Sequence, residues 1–102
     1  MRPFKPHKYR AKPTRGYASK RESEFADLLR MRAEIGEVRA WLEQVPIKIP
    51  GSKYVIDFVV FEADGRVRFV EIKGHATETW KVKHRALSVA HPWIFERLEV
   101  LR

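Results

Sequence analysis

The chain contains no cysteine, which excludes disulfide frameworks, thiol nucleophiles and cysteine-based zinc fingers. No stretch approaches the ~20 apolar residues that a membrane-spanning helix needs, and the basic opening lacks the apolar segment of a secretory signal. The expectation is therefore a soluble protein of the cytoplasm. Acids are missing from residues 1–21, which hold eight Lys and Arg. With 21 basic and 13 acidic residues in all, the remainder balances at 13 of each, so the net charge of +8 belongs to that opening segment.

What is present is enough for one modest core. A chain of 102 residues suits a single domain, and one of this size buries roughly 60–70% of its unfolded surface. An apolar content of 44%, with three Trp and six Phe, is globular in character. Residues 1–18 differ: punctuated by Pro3, Pro6 and Pro13 and without apolar period, they read as a flexible basic arm, and residues 19–102 as the folded body. Lys5, Lys8, Arg10, Lys12 and Arg15, continued by Lys20 and Arg21, can neutralise phosphates, and the interleaved Phe4, His7, Tyr9 and Tyr17 can stack on unpaired bases. Nucleic acid is the simplest partner. The same charge also suits an anionic membrane surface, and a merely solubilising tail is the bland alternative.

Ser19 followed three residues later by Glu22 has capping-box spacing. Phe25, Leu28, Leu29, Ala33 and Ile35 then give a helical stripe, and Gly36 a stop, which predicts a helix over about 20–35. Residues 45–49 read as a short first strand, with a turn at 50–52. Two longer apolar runs, 54–61 and 66–73, flank Glu62-Ala63-Asp64-Gly65. A type I turn over these four residues with a left-handed Gly65 makes a hairpin whose partners sum to 128, so that Asp57 falls opposite Glu71. A two-residue loop would put the two carboxylates on opposite faces. In the favoured register one face carries Val55, Asp57, Val59, Phe61, Val67, Phe69, Glu71 and Lys73, the other Tyr54, Ile56, Phe58, Val60, Val70 and Ile72. Both are mainly apolar, as in a central hairpin covered on both sides. Two facing acids are costly there, and a divalent cation between them removes the cost. An ion pair of Glu71 with Lys73, or a wet sheet edge, are the competing explanations.

Residues 77–90 predict a second helix, carrying Lys81, Lys83, His84 and Arg85 and ending at His91-Pro92; residues 93–101 predict a last strand. The fold class is α/β (α+β), in the order helix, three strands, helix, strand, with a mixed central sheet flanked by helices. Trp41, Trp80 and Trp93 read as core or interface anchors, and the four histidines show no ligand spacing.

Asp57, thirteen intervening residues and then Glu71-Ile72-Lys73, on this element order, resemble the PD-(D/E)xK nuclease superfamily and its restriction-endonuclease-like core. Residues 8–13 and 17–22, with Lys73-Gly74, Thr77 and Lys83, are similar to small phage-encoded members of that superfamily, related in pattern to Holliday-junction-resolving endonucleases. Ile56 stands where the motif has its proline, a position that is not a metal ligand. The resemblance implies that Asp57, Glu71 and the backbone carbonyl of Ile72 hold Mg²⁺, with Mn²⁺ able to substitute. It implies that Lys73 sits against the attacking water or the developing phosphorane charge. Glu22 matches the upstream acid, which orients water at the metal or binds a second ion. Glu24 is its rival on a different helix face, and a capping role is the non-catalytic alternative for Glu22.

Lys83 matches the family's phosphate-binding position. Lys81 and Arg85 are weaker candidates, and Thr77 either binds phosphate or only caps its helix. Gln44, ahead of the first strand, can approach the site. The implied activity is a metal-dependent endonuclease acting on branched DNA as a homodimer, in a bacterial host cell if phage-encoded, with no small-molecule cofactor and no membrane. The alternatives are a nick- or flap-directed nuclease and a non-catalytic nucleic-acid-binding protein.

Overall fold

The computed structural model describes residues 16, 17 and 19–102. Helix α1 spans Lys20–Glu34, with Ser19 as its N-cap accepting a hydrogen bond from the Glu22 amide at 3.1 Å. Strands β1 (Val38–Ile49), β2 (Ser52–Glu62) and β3 (Val67–Ile72) follow, then α2 (Glu78–Ala90), α3 (Pro92–Arg97) and β4 (Leu98–Leu101). The fold is mixed α/β, with one four-stranded sheet in the order β1-β2-β3-β4. The first two pairings are antiparallel and β3–β4 is parallel.

Two expectations are corrected. The first strand is not the short 45–49 segment but begins at Val38, because Val38-Arg39-Ala40-Trp41 already pairs with the far end of β2. The segment 93–101 is not all strand. Pro92 occupies the first turn of α3, where its fixed φ and missing N–H cost nothing, and only residues 98–101 join the sheet.

The β2–β3 hairpin has the 128 register: Val59 pairs with Phe69 and Phe58 with Val70. Its turn is closed by the Gly65 amide donating to the Glu62 carbonyl at 3.0 Å, and Gly65 lies at φ +96°. Space is open where a Cβ would stand, so an alanine there is opposed by backbone conformation alone. Gly65→Ala is expected to destabilise the fold by about 1 kcal/mol, read as a lower urea midpoint with an unchanged slope.

The ladder between β1 and β2 shifts register between Val38 and Ala40 and is interrupted again in its middle. Glu43↔Phe58 and Val45↔Ile56 are paired, but Gln44 and Asp57 between them are not, and Gln44 sits at φ +54°. Side-chain alternation reverses across this point. Trp41 packs in the cluster under α1, whereas Val45, Ile47 and Ile49 pack in the cluster under α2 and α3. On β2, likewise, Phe58 and Val60 face α1, while Tyr54 and Ile56 face α2. Strict alternation along β2 assigned Tyr54 and Ile56 to the face of Phe58, so their placement is corrected by this reversal.

Both faces of the hairpin are covered, as its apolar composition requires. Ala26 and Leu29 of α1 close one side over Phe58, Val60 and Val70, and Leu87 of α2 closes the other over Ile56, Val59 and Phe69. Tyr17, read from sequence as part of the arm, packs against the α1 side and donates to Glu43 at 3.0 Å. Burial and the Glu43 carboxylate push its phenol up to about 12.

Candidate functional site

Asp57 is placed where the β1–β2 ladder opens. Released from the regular pairing, its carboxylate accepts from the Ile72 backbone amide at 2.9 Å, just beyond the last β2–β3 pair, and from Gln44 Nε2 at 3.1 Å. It is partly exposed. Gln44 thus reaches the site, as its position ahead of the 45–49 segment suggested, and does so from a left-handed backbone that residues other than glycine adopt at a cost.

Glu71 lies on β3, an interior strand, and is 3% exposed. A wet sheet edge is therefore excluded as the reason for its acidity. Its Oε1 accepts from the Tyr54 hydroxyl at 2.6 Å and its Oε2 from the Trp80 indole at 2.6 Å. The indole N–H also lies 3.1 Å from the Tyr54 oxygen, so phenol, indole and carboxylate form a closed triangle. Lys73 Nζ is 3.8 Å from Oε2, so the ion-pair alternative is present too, while the same amine lies 5.3 Å from the centre of the Trp80 ring. Burial raises the Glu71 carboxyl above its ordinary value against these two hydrogen bonds, and the Asp57 charge pushes the same way. The Tyr54 phenol is raised by its own burial and by Glu71.

A carboxyl whose folded pKa is raised works against folding once it is ionised, with the cost complete above the folded value. Glu71→Gln, which keeps the shape and can still bond both neighbours, is accordingly expected to raise the melting temperature at neutral pH in EDTA, by an amount corresponding to about 1 kcal/mol. Differential scanning calorimetry checks this, and the gain should shrink on acidification.

Glu22 is 6% exposed and turned inward, whereas its rival Glu24 is exposed. Among the described residues no three His, Asp or Glu side chains converge tightly enough to hold a metal ion, so Glu22 is not gathered with Asp57 and Glu71 into one cluster. Thr77 is the N-cap of α2 and accepts from the Trp80 amide at 3.1 Å, which is the capping alternative. Lys81 is exposed and pairs with Glu78 at 3.3 Å; Arg85 is exposed and Lys83 partly buried on the same helix. Lys20 and Arg21 are exposed at the start of α1. Lys5, Lys8, Arg10, Lys12 and Arg15 lie outside the described residues.

Sequence reasoning missed Tyr54 and Trp80 as polar groups. Both read as apolar anchors, and their hydroxyl and N–H find Glu71 only through contacts 17 and 9 residues apart in the chain. The usable signal is that a buried Tyr or Trp needs a partner for its polar tip, and a buried acid nearby is the natural one.

No helix among the described residues is long and apolar enough to cross a membrane. A family model described as "Protein of unknown function (DUF1064)" matches residues 6–99, and the chain belongs to that family. No curated protein and no solved structure matches it.

Proposed function

We propose that this member of the family is a metal-dependent DNA endonuclease, selective for branched DNA and active as a homodimer. The observation that carries the reading is a pair of carboxylates on two interior strands, Asp57 of β2, which accepts from the Ile72 amide, and Glu71 of β3, the residue before it, with Lys73 beside Glu71. As pure structure this is expensive: one acid is almost fully buried, and its ionised form is disfavoured by the other.

The donor set fits a hard dication. Each carboxylate oxygen accepts a single side-chain or backbone donor and so keeps a lone pair, and Mg²⁺ is commonly held by only one or two carboxylates with waters filling the remaining positions. Asp57 and Glu71, with the Ile72 carbonyl, are the residues that would hold Mg²⁺ or Mn²⁺. When bound, the ion supplies Lewis-acid stabilisation of charge on the phosphoryl oxygens. The remaining work belongs to side chains of this chain. Lys73 Nζ, on the strand that bears Glu71, donates to the attacking water or to a non-bridging oxygen as charge builds up there. Lys81, Lys83 and Arg85 of α2 bind neighbouring phosphates, and the basic segment ahead of α1 adds sequence-independent affinity. Nothing in the chain resembles a base-reading module, which favours recognition of DNA shape over sequence. A body this small reaches two strands of a branch most simply as a pair of copies.

Labelled four-way junction, flap, nicked, single-stranded and duplex DNA incubated with Mg²⁺ test the reading. Cleavage of the branched substrates ahead of duplex is expected. Binding without cleavage on every substrate would leave a non-catalytic nucleic-acid-binding protein. Removing residues 1–15, which carry six Lys and Arg, is expected to flatten the log–log salt dependence of duplex binding by up to about five units, at ~0.9 per phosphate contact. An unchanged slope would reduce that segment to a solubility element.

A further inference from the structure

The triangle at Glu71 contains more polar chemistry than packing requires. An apolar residue at position 71 with Phe at 54 and 80 would fill the same space without desolvating a charge, and such replacements of buried polar groups are often neutral or stabilising. Instead each carboxylate oxygen receives one donor from a different element, Tyr54 from β2 and Trp80 from α2, both at 2.6 Å. Two short bonds from adjacent donors, themselves 3.1 Å apart, one to each oxygen, fix the plane of the carboxylate as well as its position.

The donors are themselves held. The Trp80 amide is anchored to the Thr77 side chain at 3.1 Å, and the His84 ring stacks on the indole with centroids 4.4 Å apart and 21° between planes. Phe95 of α3 packs in turn against His84 at 4.8 Å. Tyr54 is 2% exposed. The result is a supporting layer in which little can move without moving Glu71. Because Trp80 lies one position before Lys81 and three before Lys83, the same indole also sets where the basic face of α2 stands relative to the carboxylate.

We propose that Tyr54 and Trp80 are positioning residues of the reaction: they pre-orient Glu71 for the divalent cation, and Trp80 ties the phosphate-binding helix to that carboxylate. This rests on the metal-dependent nuclease reading. Removing groups that orient a metal ligand typically weakens metal affinity about 10–100-fold, and a loss in that range is expected for Tyr54→Phe and for Trp80→Phe. Turnover should fall in both variants, while junction affinity in EDTA stays unchanged in Tyr54→Phe, which keeps the Trp80 bond between α2 and Glu71.

The test is Mn²⁺ titration of the full chain by calorimetry, with tryptophan emission followed in parallel. In the wild-type protein Mn²⁺ should quench part of the emission, and that part should be missing in Trp80→Phe although Trp41 and Trp93 remain. Thermal unfolding in EDTA confirms that each variant is folded; if Trp80→Phe is not, Tyr54→Phe, which retains the ring and loses only the hydroxyl, decides. Folded variants that bind Mn²⁺ and turn over as the wild type does would overturn the positioning role while leaving the nuclease reading intact. A wild-type chain that binds no Mn²⁺ would overturn both.

Discussion

Asp57→Ala is expected to lower Mg²⁺-dependent cleavage of a four-way junction by roughly 10³-fold or more, the scale on which a group that stabilises transition-state charge is lost. The variant also removes the acceptor of the Ile72 amide and of Gln44 Nε2, so loss of activity alone would not separate chemistry from architecture. Asp57→Asn supplies the separation. Its amide oxygen can keep the Ile72 bond while the charge disappears, so it should melt close to the wild type yet cleave almost as poorly as the alanine variant. Single-turnover cleavage and melting temperature, read side by side, check the pair. Undiminished cleavage by Asp57→Ala would remove this carboxylate from the site, whatever the activity of the protein.

The largest effect on stability is expected far from that pair, at Glu62. This carboxylate is 3% exposed and receives Arg32 of α1 through two bonds, at 3.0 and 2.7 Å, and Arg68 of β3 at 3.1 Å. Arg68 in turn grips Glu99 of β4 through two bonds, and Arg32 reaches Glu37. One buried acid therefore fastens a helix and two strands. The Arg32 guanidinium, followed by Arg68, holds the Glu62 carboxyl below its ordinary value against the opposing effect of burial. Breaking a fully buried pair costs ~3–5 kcal/mol. Because both arginines keep a second acid, about 2–4 kcal/mol is the appropriate range for Glu62→Ala, which lowers the melting temperature of a domain this size by ~10 °C or more. The sign of the pH dependence follows from the lowered pKa. The carboxylate's contribution is complete above the ordinary glutamate pKa and fades as pH falls through its folded value. Urea midpoints of wild type and Glu62→Ala should therefore converge on acidification.

Much of the candidate site could be read before any coordinates because it depends on a local rule. Gly65 selects the turn and the turn selects the register, which holds from Phe61↔Val67 to Phe58↔Val70 and ends one position short of Asp57 and Glu71. Helix α1 and the N-cap of α2 were equally legible from Ser19 and Thr77. What escaped depends on contacts that sequence spacing does not encode. The early half of β1 lacks a period-two pattern, with Ala40-Trp41-Leu42 in succession and an irregularity between Val38 and Ala40, and its pairing with the distal end of β2 is what makes it a strand. Pro92 ends one helix and begins another, two roles with the same local signature. The reversal at Gln44 and Asp57 is hidden because neither residue is a glycine, the usual marker of a broken strand, and period-two reasoning carries straight through it. The tips of Tyr54 and Trp80 were overlooked because their apolar bodies accounted for them.

That reversal has a mechanical consequence. A regular strand gives each face of a sheet its own set of alternate residues along the whole length. Here the same two strands hand over from one face to the other halfway, so the α1 core draws on one end of the β1–β2 ribbon and the α2–α3 core on the opposite end as well. The ribbon works like a lace shared at one end: loosening the end that carries Phe58, Val59 and Val60 slackens both cores, whereas loosening the end that carries Ile49, Tyr54 and Ile56 slackens the α2–α3 core. Local opening of the shared end beneath α1 is thereby coupled to the α2–α3 core, and the carboxylate at the handover, Asp57, sits at the point the two halves hold in common.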